Sequence, residues 1–329
     1  GNPSMEIPYV NGEKHGEEKF YFYNGVLNRK ANYKEGLREG EQRIYNYKAQ
    51  LIEIANMKGD KLHGITRTFY PNGKVKDSLH YAEDIPQGTH FQYNTDGVLI
   101  QKGDYKDGKR HGEWLSWYPD GTTIREKTQY DMGDITGPFF EYHPNGAVSR
   151  KGNYVKKKPD GTIEDFDDDG KLYAVLQMEK GKLKTIRHFD KKGKEISSTT
   201  TGRGNGTVTY FDPFGVKITE ATYNRDGELD GPYNIYYPSG KVKESKFFKD
   251  GILDGKLIRF YTNGQKENEA LFKNGEISGY NIWYHSNGKV RSEGWYEDGT
   301  KAQFFSFYNE NGTLTDLEYF INGEVTGPQ

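Results

Sequence analysis

The sequence predicts an all-β fold: an elongated, single-layer antiparallel meander of about thirteen β-hairpin repeats, twisted or curled along its length. Three observations carry this expectation. Glycine returns every 24 residues at Gly16, Gly40, Gly64, Gly88 and Gly112, and the beat resumes at Gly137, Gly161, Gly231, Gly255, Gly279 and Gly327. Turn dipeptides such as Asn24-Gly25, Asn72-Gly73, Asn145-Gly146, Asn263-Gly264 and Asn287-Gly288 punctuate the intervals. An aromatic or large apolar side chain stands at a fixed offset from each beat. A period of this length is the mark of one supersecondary unit copied many times.

Composition agrees. Hydrophobic residues are 33% of the 329-residue chain and aromatics alone are 15%, with mean hydropathy −0.97. That is too little aliphatic material for a thick core, and 26 Tyr with 18 Phe are too many for a disordered chain. Each copy therefore has to bury its contacts with its neighbours. A formal charge of −2 gives no general attraction to nucleic acid. The absence of cysteine excludes disulfides and thiolate chemistry. No apolar run is long enough for a membrane-spanning helix.

The unit around Gly112 shows why each copy is a hairpin. Asp107-Gly108 and Asp120-Gly121 are turn signals, because tight antiparallel turns need residues at positive φ. Between turns lie strand-length segments rich in Tyr, Phe, Val and Thr, without helical periodicity. Five residues after the beat runs a first aromatic row: Tyr21, Tyr45, Phe69, Tyr93, Trp117, Tyr142, Phe166, Phe211, Tyr236, Phe260, Tyr284 and Tyr308. Seven before it runs a second, including Tyr33, Tyr81, Tyr105, Tyr130, Tyr154, Phe248, Phe272, Tyr296 and Phe320. Small residues (Ala31, Ala55, Gly103, Gly152, Ala221, Ala270, Gly294) precede the second row by two and leave room for a ring from the adjacent strand. Aliphatics such as Leu27, Leu51, Val75, Leu99 and Val148 precede it by six. All are expected on one buried face.

The pattern falters between Lys156 and Asn205, where Lys157 and Thr185 replace glycines and the eighth unit is one residue short. A kink, bulge or loose segment is expected there. The organisation is then a tail at 1–8 beginning with a cloning scar at Gly1, an N-terminal array at 9–177, a degenerate stretch at 178–205 and a C-terminal array at 206–329. Its final, shortened unit ends at Gln329 as a cap.

The segments Asp107-Gly-Lys-Arg-His-Gly112, Tyr130-Asp-Met-Gly133, Asn11-Gly-Glu-Lys-His-Gly16 and Lys61-Leu-His-Gly64 resemble the MORN repeat family. They look most like its bacterial variant, whose units read Tyr-x-x-Gly-x-x-x-Gly, an aromatic pair, then Asn-Gly. The resemblance runs from Tyr9 to Gly327. It departs from the eukaryotic pattern in that Glu113, Glu17 or Ile65 follows the second glycine. It implies β-hairpin repeats acting as scaffolds, dimerisation surfaces or membrane-proximal modules, with antitoxin-like or immunity-like bacterial members and no catalytic residues in the repeat.

Candidate sites are few. Trp114, Tyr118, Tyr237, Tyr261 and Trp283 are the candidate binding aromatics; Trp114 and Trp283 lie at positions of variable residue type, with packing as their leading reading and exposure of one or both as the alternative. Asp165, Asp167 and Asp169 before Gly170 match the start of a calcium loop, but Leu176 stands where its bidentate Glu belongs, so an ordinary turn is the leading reading and no metal is expected. His15, His63 and His111 share one repeat position about 10 Å apart along the array, too far to share a metal. Gly202-Arg-Gly204-Asn-Gly206 lacks the strand–helix context of a phosphate loop. The basic stretch from Lys180 to Lys194 is read as a solvated face, with lipid headgroups as the alternative.

No cofactor and no acid–base–nucleophile constellation is present in the sequence, so a non-enzyme is expected. The functional expectation is a protein-binding repeat scaffold of antitoxin-like or immunity-like kind. The alternative is a cell-envelope carbohydrate binder using exposed aromatics. Nucleic acid is not expected as a partner, and an exported, periplasmic or cell-surface location is favoured over the cytoplasm.

Overall fold

The computed structural model describes residues 4–201 and 205–326. The cloning-scar reading at Gly1, the glycine-rich loop at 202–204, the last beat at Gly327 and the cap ending at Gln329 lie outside the described residues. Every regular element among the described residues is a strand, and every strand pairing is antiparallel. The chain divides into two compact units: residues 1–159 with 168–170, and residues 160–167 with 171–329.

In the first unit the long strands follow one another as a meander. Leu27–Lys34, for example, lies between Gly16–Tyr21 and Leu37–Tyr45. In the second unit, strands Gly161–Phe166, Leu172–Glu179, Lys182–Phe189 and Glu195–Thr200 form one meander. The strands from Gly206–Phe211 to Glu324–Val325 form an 11-stranded sheet. The polar run at 197–201 thus enters a regular strand, and the ladder is interrupted only after it.

Two turns alternate. One is a two-residue turn with both φ positive, as at Asp107 (49°) and Gly108 (76°), which matches the strands' own twist. Lys156 (48°) and Lys157 (69°) keep that conformation where glycine is missing. The other is closed by paired hydrogen bonds, as where Gly25 N donates to Phe22 O (2.8 Å) and Phe22 N to Val26 O (2.8 Å).

The beat glycine is a bulge. Lys102 faces Leu115 and Asp104 faces His111, so Gly103 alone opposes Gly112, Glu113 and Trp114. Extra residues in one strand demand a local bend, and Gly112 takes φ 73°. In the eighth unit Gln177 faces Thr185 and Met178 faces Leu183, leaving only Lys184 extra. The missing residue and the missing glycine are therefore one event: a smaller bulge needs no left-handed residue.

The packing corrects the expectation of a single buried face. Glu18 faces Ala31, whereas Tyr21 faces Leu27 after a register shift between Phe20 and Tyr21. Side chains three apart in a strand point to opposite faces. The first aromatic row and the aliphatics opposite it (Tyr45–Leu51, Phe69–Val75, Tyr284–Val290, Tyr308–Leu314) therefore cluster on one face and are half-buried, except Leu314, which is exposed. The small residues and the second row lie on the other. What fills that second face is the residue two after the beat: Glu18, Gln42, Trp114, Phe139, Ile163, Val208, Leu257 and Phe305, all buried. Trp114 lies over Gly103 so closely that a Cβ there would stand 2.1 Å from the indole, and Phe305 lies over Gly294 in the same way at 2.4 Å. Rings of the second row close the sides, as Tyr105 does against Trp114 (5.3 Å, edge-on) and Tyr296 against Phe305 (5.3 Å).

Candidate interaction surface

The five aromatics singled out in the sequence are each engaged within the repeat array. Trp114 is buried (4% exposed), the packed reading rather than the exposed one, and its indole N–H donates to Asp104 O at 3.2 Å. It occupies the core position of a copy whose facing residue is glycine. Tyr118, Tyr237 and Tyr261 are half-buried, and their hydroxyls donate to the carbonyls of Tyr142 (2.7 Å), Phe260 (2.6 Å) and Tyr284 (2.7 Å). They are struts between successive hairpins. Trp283 is half-buried beneath the Arg291 guanidinium at 5.2 Å. Trp114 and Tyr118 fall in the first unit and the other three in the second.

The remaining candidates resolve into ordinary surface chemistry. Asp165 and Asp167 are buried, and Asp167 Oδ1 accepts from Lys171 N at 2.8 Å, closing a turn. Asp169 is exposed. His63 and His111 are half-buried, with Nδ1 3.8 Å from Glu83 and 3.4 Å from Asp131. In the basic stretch, Lys184 pairs with Glu179 (2.8 Å), Lys182 with Asp226 (3.2 Å) and Arg187 with Glu195 (3.8 Å). These pairs engage three of the stretch's seven basic side chains, and exposed pairs of this kind contribute little to stability.

A different set of residues forms a surface. One column, on the face of the first aromatic row, is built from the residue after the beat and the residue directly opposite it. In the first unit it is mostly polar: Glu17–Asn32, Glu41–Asn56, Ile65–His80, Thr89–Asp104, Glu113–Gln129 and Pro138–Asn153. In the second unit it begins as Thr162–Gln177 and Thr207–Thr222. It then changes character over four successive hairpins to Pro232–Phe247, Lys256–Leu271, Tyr280–Trp295 and Phe304–Tyr319. Phe247 (46%), Trp295 (41%), Phe304 (57%) and Tyr319 (36%) are exposed. The rings of Phe304 and Tyr319 touch at 4.7 Å between centroids.

Polar groups hold this stripe in place. Glu269 accepts from Lys266 Nζ (2.5 Å), Lys256 Nζ (3.1 Å) and the Tyr280 hydroxyl (3.2 Å). The Lys266 hydrogen bond, followed by that from Lys256, outweighs burial and holds its carboxyl below the usual range. Tyr280 is thereby fixed beside Trp295. Glu293 likewise accepts from the Tyr308 hydroxyl at 2.9 Å. With Ile252, Leu317 and Ile321 exposed on the same face, the apolar area is on the order of 600 Å², taking about 150–250 Å² for each large side chain. That reaches the upper end of the largest patch on a typical monomer, about 300–600 Å². Sequence reasoning missed it because it sought rings at conspicuous repeat positions. The signal was a position that is polar in most copies and apolar in the last four.

Among known families, the profile described as "MORN repeat variant" matches residues 14–35, 62–83, 86–107, 110–131, 135–156, 229–250, 253–274 and 278–298. No curated protein matches. Among solved structures the chain is similar to "Crystal structure of the eukaryotic initiation factor", at 11% identity over 98% of this chain and 91% of that one, with TM-score 0.30. It is also similar to "Crystal Structure of TcdB2-TccC3-Cdc42", at 9% identity over 97% of this chain and 26% of that one, with TM-score 0.20. At these scores neither likeness bears on fold or function.

Proposed function

The chain belongs to the MORN repeat variant family, whose repeats are generally non-catalytic binding scaffolds, and on that premise we propose that this copy is a non-enzymatic scaffold that binds another protein. The exposed apolar stripe of the last four hairpins carries the reading. A patch on the order of 600 Å² approaches the roughly 800 Å² that each partner contributes to a standard protein–protein interface. Its centre is aromatic and its borders are charged, the composition of an interface core within a rim. An immunity-like or antitoxin-like role is the finer form of this proposal, with the toxic partner seated on the stripe.

The test compares the wild-type chain with Phe304→Glu and with Ile65→Glu, the latter altering an exposed apolar residue of the same column in the first unit. A defined partner that co-purifies at fixed stoichiometry should be lost with F304E and kept with I65E. Capture unaffected by F304E, or no saturable partner at all, would sink the proposal. The pairs Tyr280–Trp295 and Phe304–Tyr319 also favour a second reading, in which sugar rings stack on exposed aromatics. Glycan-array binding abolished by Trp295→Ala would install that reading instead.

A further inference from the structure

In the first unit, two early hairpins place a cation two residues before the beat and provide it with an acid. Lys14 pairs with the buried Glu18 at 3.2 Å, and Arg38 pairs with Asp60 at 2.9 Å. Arg110 occupies the same position, but the residue corresponding to Glu18 is Trp114. Its guanidinium is stacked over the Trp114 ring (4.2 Å) and beside the Tyr130 ring (5.4 Å), and its Nη1 donates to the Tyr130 hydroxyl at 3.3 Å. No carboxylate of the described residues lies within ion-pair distance of it. A partly buried guanidinium without an acid is unusual, because burial of a charge is normally offset by pairing.

Beside it is a small cavity of about 70 Å³, lined by Gln101, Arg110, Trp114, Ser116, Glu126 and Thr128 among others. Ser116 is 4% exposed, and its hydroxyl is buried against this cavity without a hydrogen-bond partner. Such a group is costly unless something in the cavity satisfies it. Glu126 forms another part of the wall and accepts from the Thr128 hydroxyl at 2.8 Å. Glu126 and Arg110 do not pair with each other. One polar cavity therefore presents a guanidinium, a separate carboxylate, an amide and an unsatisfied hydroxyl.

We propose that this cavity binds a small zwitterion of the α-amino acid class, with the ligand carboxylate on Arg110 and its ammonium on Glu126. Ser116 Oγ supplies a further hydrogen bond. An anion alone would meet repulsion from Glu126, and a cation alone would meet repulsion from Arg110. A molecule carrying both charges satisfies both walls. The stacked guanidinium keeps its planar fork oriented for a carboxylate. The cavity is built from residues of the first unit and the stripe from residues of the second, so either can fail without the other.

Titration of the full chain with glycine, acetate and methylammonium, followed by calorimetry and Trp fluorescence, tests the assignment. Glycine should bind saturably and at least tenfold more tightly than acetate or methylammonium. Arg110→Gln should weaken glycine at least tenfold without weakening methylammonium, Glu126→Gln should erase the preference for glycine over acetate, and Ser116→Ala should weaken glycine severalfold. Circular dichroism checks each variant; if R110Q does not fold, E126Q and S116A carry the same test with the ring stacking intact. The proposal is overturned by an absence of saturable glycine binding, which would mean a cavity holding only water. Acetate binding as tightly as glycine to the wild type would also overturn it.

Discussion

A single histidine shows how position within the repeat sets chemistry. His188 is 2% exposed, packed against Tyr210 (6.4 Å) and Phe211 (5.1 Å), and its Nε2 accepts from Phe211 N at 3.4 Å. Burial lowers its pKa from 6.5 to about 4. The folded state therefore holds the neutral ring, and protonating Nε2 would set a donor against the Phe211 N–H. For a depressed pKa the contribution to stability is complete above the unfolded value and is lost as pH falls towards the folded value. Between about pH 6.5 and 4 this linkage amounts to about 3 kcal/mol. His188→Gln keeps an acceptor for Phe211 N and removes the titration. Urea unfolding at several pH values should show a wild-type decline across that window that is much shallower in H188Q. Equal pH slopes in the two proteins would refute the assignment. The sequence placed His188 at no special position, because the one-residue deletion in its unit disguised its alignment with core-facing residues of other copies.

At the scale of one hairpin, the beat position is a bulge whose demand is for a backbone conformation, not for glycine as such. Gly294 faces Phe305 and Trp295 faces Ala302, so the full bulge persists around Gln303, which adopts φ 61°. A non-glycine residue in the left-handed region is strained by roughly 1–2 kcal/mol. Gln303→Gly should relieve most of this, less the extra entropy of glycine in the unfolded chain, for a net gain of up to about 1 kcal/mol by chemical denaturation. A loss of stability in Q303G would show that the Gln side chain, not the backbone, matters there. The hairpins themselves were readable in the sequence because turn chemistry and period are local. Turn dipeptides such as Asn24-Gly25 located one turn, and the glycine beat located the other strand.

The assignment of faces was not local, and there the sequence misled. Counting by twos from Tyr33 through Ala31 to Leu27 assumes an unbroken pleat, but Asn28 is extra opposite Tyr21, and that residue reverses the face. A bulge of this kind leaves no composition signal, since any polar residue can occupy it. The core role of Trp114 was not distinct in the sequence, because its position in other copies holds Glu18, Gln42 or Val208. The variability reflects a choice of partner: large rings stand over Gly103 and Gly294, and Glu18 and Val208 stand opposite Ala31 and Ala221. Position-by-position type was therefore a poor guide, and paired positions across strands a good one.

Across the whole chain, stability is distributed over copies that each touch mainly the next, so the repeat should be removable as a module. Deleting residues 253–276 joins Ile252 to Ile277 and keeps three residues between Gly251 and the following beat, now Gly279. Side-chain faces, both turns and the bulge are then all in phase. The prediction is a β-rich protein with unchanged circular dichroism per residue and a midpoint lowered by only a few degrees, as expected for losing about one kcal/mol or two of neighbour contacts. Deleting residues 253–264 instead removes a single strand and its turn. The strand starting at Lys266 would then follow Val242–Lys249 through the Asp250-Gly251 turn, in the place of a strand that carries the bulge at Gly255, so turns and bulges would no longer alternate in step. That variant should lose cooperative unfolding. If the two deletions behave alike, the copies do not act as interchangeable neighbours. The first deletion also shortens the aromatic stripe by Lys256–Leu271 while preserving Tyr280–Trp295 and Phe304–Tyr319, so partner binding should weaken yet persist if the stripe, and not the number of copies, is what a partner recognises.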